Sequence, residues 1–85
     1  MDLELEQTKE KIFFVIVVRR GNQEKYIAKD YIVTKRHLGC TVKVDRAIRF
    51  STIEEAERFW LRVRSIDDEL TNMRVRKLIL TYSVE

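Results

Sequence analysis

The sequence predicts a small α+β domain of order β-β-β-α-β, with a four-stranded mixed sheet, β1 central, and one amphipathic helix packed on one face. Three observations carry this. Ile12-Phe13-Phe14-Val15-Ile16-Val17-Val18 is an unbroken apolar run, almost wholly β-branched or aromatic. Arg20-Gly21-Asn22-Gln23, just behind it, has the chemistry of a hairpin turn. Ser51-Thr52-Ile53-Glu54 opens the one stretch with clear helical periodicity. The chain has 85 residues, which is enough for one core.

Residues 1–10 are expected to be a flexible acidic N-terminal tail, and residues 11–85 the domain. The first strand is expected over 11–19, greasy on both faces and therefore central. Its side chains alternate, so Ile12, Phe14, Ile16 and Val18 face one way and Phe13, Val15 and Val17 the other. Gly21 at the first central position suits a type II′ turn. That turn places Arg19 opposite Glu24, Val17 opposite Tyr26 and Ile16 opposite Ile27. A second strand follows over 24–34, and a basic loop over 35–39 leads to a third strand near 40–44.

The Ser51–Glu54 pair reads as a capping box with Ser51 at the N-cap, and the helix runs over 52–64. Ile53, Ala56, Phe59, Trp60, Val63 and Ile66 fall on one side of it, the core-facing stripe. Leu61 lies near the middle of the polar side, between Arg58 and Arg62. Residues 65–72 read as an acidic, solvated loop, and the last strand over 75–84. A meander makes β3 parallel to β1. If the helix then makes the return stroke, β4 is also parallel to β1 and sits beside it through a right-handed crossover.

The net charge of +3 is unevenly spread: residues 1–10 carry −3, residues 11–50 carry +7 and residues 51–85 carry −1. The longest apolar run has seven residues, against about 20 for a membrane-spanning helix, so no membrane span is expected. The acidic start lacks a signal-peptide pattern and Cys40 is the single cysteine, which together favour a reducing cytoplasm.

His37 and Cys40 lie three residues apart, but a nucleophile–base pair also needs a third group and a substrate pocket. One cysteine and one histidine are too few for a structural zinc site. The carboxylates at 54, 55 and 57 belong to the helix start, and a phosphate-binding glycine loop is absent. The expectation is a non-enzymatic protein without cofactor or metal.

The segment Ala47-Ile48-Arg49-Phe50-Ser51-Thr52-Ile53-Glu54-Glu55-Ala56-Glu57-Arg58-Phe59 resembles one found in small accessory proteins of phages and prophages. There a short β-meander leads into A-x-x-F and a capped helix of the form S/T-x-x-E-A-x-x-F. The resemblance implies a non-enzymatic protein that binds a host or phage protein, including inhibitors of host defence. Such inhibitors are often acidic nucleic-acid mimics, and this chain departs from that by being basic.

Two functional expectations follow. One helix covers one face of β1, which leaves Phe13, Val15 and Val17, with Tyr26 and Ala28 beside them, facing out. Such a patch exceeds what a monomer usually leaves wet. The leading expectation is therefore a protein-binding module, a homodimer or bound to a heterologous protein, using Phe13, Val15, Val17, Tyr26 and Leu61. The alternative is a nucleic-acid-binding accessory protein whose contacts are Arg19, Arg20, Lys35, Arg36, Lys43 and Arg46.

Overall fold

The computed structural model describes residues 8–34 and 36–83. Its elements are β1 (Thr8–Arg20), β2 (Gln23–Thr34), β3 (His37–Thr41), a 3₁₀ turn (Val44–Arg46), α1 (Ile53–Val63) and β4 (Leu70–Ser83). They form a four-stranded sheet in the order β3-β2-β1-β4, with β1 central as its composition requires. Every neighbouring pair is antiparallel, so the expected mixed sheet is corrected to an antiparallel one.

The correction has a single cause. The return stroke after β3 is made by residues 42–50 and not by the helix: the third strand, expected near 40–44, ends at Thr41, and residues 45–50 were given no element. β1 and β2 pair only from the turn as far as Val17↔Tyr26 and then part, so the expected Ile16–Ile27 pairing does not form. Residues 47–50 fill the gap: Ala47 bridges Ala28, and Phe50 exchanges both backbone hydrogen bonds with Phe14, each 2.8 Å. The helix thus starts beside the middle of β1 and ends near its C-terminal end. β4 must then run back along β1, in a ladder from Arg20↔Leu70 to Thr8↔Ser83.

The turn behaves as its chemistry dictates. Gly21 has φ +62°, where a side chain would be strained, and the register Arg19↔Glu24 and Val17↔Tyr26 follows. The cap is displaced by one residue from the expected Ser51. Thr52 is the N-cap and its hydroxyl accepts from the Glu55 amide at 3.1 Å. The Glu55 carboxylate accepts from the Ser51 amide at 3.0 Å, so the reciprocal pattern survives in the frame Thr52–Glu55.

The core lies on both faces of β1. On the helix face, Ile16, Val18 and Ile27 pack with Leu38, Ala56, Phe59, Val63 and Leu70. Tyr31 meets the Phe59 ring edge-on at 4.9 Å. Trp60, expected inside, is half-buried, and Ile53 is exposed. On the far face, Phe13 and Val15 pack with Ala47, flanked by Tyr26 and Leu78. Ala47 packs here and the Arg49 guanidinium covers the Phe13 ring, so the 42–50 stroke crosses on this side.

Candidate interaction surfaces

The crossing stroke decides the fate of the expected interface. Val15 is fully buried, Val17 and Ala28 nearly so, and Phe13 is 8% exposed, with the Arg49 guanidinium 4.3 Å above its ring. Tyr26 is half-buried. These residues do come together, but as a second core closed by Ala47 and Arg49 of the same chain. The premise of an open face over Phe13, Val15 and Val17 does not hold, because the uncovered side of β1 is closed by a segment and not by a second helix. Leu61 is 59% exposed, on the wall of a shallow groove of about 700 Å³ that includes Ser51, Arg58 and Arg62 above Phe50 and Phe59.

The expected nucleic-acid contacts do not converge. Arg19 is half-buried with its Nε lacking a partner, Lys35 lies outside the described residues, and Arg36 sits in the β2–β3 turn. Lys43 and Arg46 are exposed beside the 3₁₀ turn. Arg20 is committed to structure. Its guanidinium donates to Asp67 Oδ2 at 2.8 Å, to the Leu38 carbonyl at 3.0 Å and to Glu69 at 3.1 Å.

Asp67 is the hub of that cluster and is 1% exposed, not the solvated loop residue expected. Besides Arg20 it accepts from the Leu38 amide at 2.9 Å and the Glu69 amide at 3.1 Å. Burial alone would push its carboxyl up. The Arg20 and backbone hydrogen bonds, with the Arg20 charge, outweigh that and hold it below the usual aspartate range. Cys40 Sγ lies beside Arg20 and the Leu38 carbonyl, and burial pushes its thiol up, away from a thiolate nucleophile. His37 Nδ1 is 3.9 Å from Asp67, so this group ties the ends of β1 and β3 to the chain entering β4. Among the described residues no group of three or more His, Cys, Asp or Glu side chains is placed to hold a metal ion, and no helix is long and apolar enough to cross a membrane.

Two features outside the expected sites stand open. The molecule measures 57 × 23 × 20 Å, because the start of β1 and the end of β4 extend past the helix as a two-stranded ribbon. Ile12 and Ile79, a cross-strand pair, are exposed on its helix face, and Leu80 and Tyr82 on its far face. Along the outer side β4 has no strand partner among the described residues. Its first half carries Arg74, Arg76 and Lys77, while Leu78-Ile79-Leu80-Thr81-Tyr82 carries no charge. That pattern was legible in the sequence, but its meaning depends on β4 being an edge.

The second feature is a band of cations on the far face. Register places Lys9 opposite Tyr82, Lys11 opposite Leu80, Val15 opposite Arg76 and Val17 opposite Arg74, so these side chains share the face that Arg49 also occupies. Lys9 was read as part of the tail and Arg74 fell before the expected last strand of 75–84, whereas β4 begins at Leu70, which hid the band.

No protein-family model matches this chain, and neither a curated protein nor a solved structure shows significant similarity to it. The residues of the phage-like motif are accounted for by packing: Ala47, Ala56 and Phe59 are buried and Phe50 lies against the helix-face core.

Proposed function

We propose that this protein is a non-catalytic binding module that acts as a homodimer, joined edge to edge through residues 78–82 of β4. The observation that carries this is the uncharged, apolar half of an unpartnered edge strand. Edge strands are ordinarily protected by charge, and here the protection stops at Lys77. The other open edge of the ribbon, at the start of β1, carries Lys9, Glu10 and Lys11.

A two-fold pairing centred on Leu80 is self-complementary. It sets Leu80 against Leu80 of the second copy, Leu78 against Tyr82 and Ile79 against Thr81, and extends the sheet to eight strands. Sliding the register towards residue 75 brings Arg74 against Arg76 and is disfavoured by charge. Backbone hydrogen bonds supply the attraction, and the exposed Ile79, Leu80 and Tyr82 supply apolar burial.

Sedimentation of the wild type across micromolar concentrations tests the proposal. The expected result is a reversible monomer–dimer equilibrium for the wild type and a folded monomer for Leu80→Lys. A wild type that stays monomeric, or a Leu80→Lys variant that dimerises as before, refutes it.

A further inference from the structure

We infer that the exposed cationic band on the far face of the β1–β4 ribbon, from Tyr82 past the Arg49 guanidinium that covers Phe13 to Arg76 and Arg74, binds single-stranded nucleic acid. The inference concerns one protomer and does not rest on edge pairing. Lys9, Lys11, Arg49, Arg74 and Arg76 are all exposed on this face. Among the described residues, only Arg74 of these five has an ion-pair partner, Glu24 at 2.8 Å. Glu10 points to the opposite side, since it alternates with Lys9 and Lys11. The other carboxylate near this face, Asp45, stands between Lys43 and Arg46 in the crossing turn.

An exposed ring stands at one end of this band of cations and a half-buried one at the other. Tyr82 is 44% exposed beside Lys9 and Lys11, and Arg76 reaches the Tyr26 hydroxyl at 3.5 Å. Eight residues of β1 separate the partners of Tyr82 and Tyr26, a span of about 27 Å at strand rise. A chain with a charged backbone and flat bases fits that layout: phosphates meet the lysines and arginines while bases stack on exposed rings. An acidic protein surface would use the cations and leave the rings without a specific role. Duplex DNA would be held by phosphate contacts alone, its bases being already stacked.

Fluorescence anisotropy with a labelled oligothymidylate of about 15 nucleotides tests this between about 50 and 200 mM salt. Binding should weaken steeply with salt. Lys11→Ala with Arg76→Ala should flatten the logarithmic salt slope by about 1.4, at about 0.7 per lost phosphate contact. The charge-matched pair Arg58→Ala with Arg62→Ala, on the helix, should leave the slope unchanged. Tyr82→Leu should weaken binding at least about fivefold through lost stacking, and Tyr82→Phe should restore it. The inference is overturned by absence of wild-type binding at low salt. It is equally overturned by the same slope change in both double variants, which would mark a net-charge effect, or by indifference to Tyr82→Leu, which would mark a duplex or acidic-protein surface.

Discussion

Asp67 anchors the end of the sheet through three donors, and its effect on stability depends on pH. Its carboxyl titrates lower in the folded chain than in the unfolded one. The associated stabilisation is therefore complete above the ordinary aspartate range and is lost as pH falls through the depressed value, below about pH 4. Asp67→Asn leaves Arg20 with Glu69 as its remaining carboxylate partner and weakens a buried charge-assisted hydrogen bond, which should cost about 1–3 kcal/mol. Thermal melts from pH 7 to 3 should show the wild type losing stability in that acid window and Asp67→Asn losing little more there. Matching acid profiles in the two proteins would show that the carboxylate is not the anchor. None of this was legible in Asp67-Asp68-Glu69, which looks like a solvated acidic run. The partner, Arg20, lies 47 residues away, and only the tertiary fold joins the two.

Among the elements, α1 is where sequence physics and structure agree most closely. Its 3.6-residue period put Ala56, Phe59 and Val63 inside, and they are buried. Phe59→Ala should cost about 3–5 kcal/mol, a large part of the roughly 5–15 kcal/mol that holds a small domain together. A Phe59→Ala melting temperature close to that of the wild type would contradict the packing. The cap is finer grained, because Ser51-x-x-Glu54 and Thr52-x-x-Glu55 both fit the capping pattern and spacing does not choose between them. The structure chooses Thr52. Thr52→Ala should therefore destabilise by about 1 kcal/mol in chemical denaturation, while Ser51→Ala should be nearly neutral. The reverse order would restore Ser51 as the cap. Residues 42–50 were the illegible element. They have neither a helical nor a strand period, because they cross the sheet and then insert as isolated bridges.

At the scale of the whole molecule, β1 was legible as the central strand because both of its faces are apolar. What covers the second face was not legible. A seven-residue greasy strand states only that something lies on each side, and the stroke over Phe13 and Val15 comes from the same chain. Two substitutions separate the buried face from the proposed edge. Val15→Lys puts an ammonium where no solvent reaches and should unfold the domain, read by circular dichroism. Leu80→Lys adds a charge at an exposed edge position and should leave the fold intact while abolishing association. A folded Val15→Lys variant would mean that the far face is open after all.

Amide hydrogen exchange along β4, followed as protein concentration rises, tests the edge pairing most directly. Amides of residues 78–82 that point away from β1 have no strand partner among the described residues of the single chain and gain one in the proposed dimer. Their protection should grow with concentration in the wild type, stay absent in Leu80→Lys, and leave the amides of β3 unaffected. Exchange at residues 78–82 that is independent of concentration, while the protein associates by sedimentation, would show that the copies meet elsewhere.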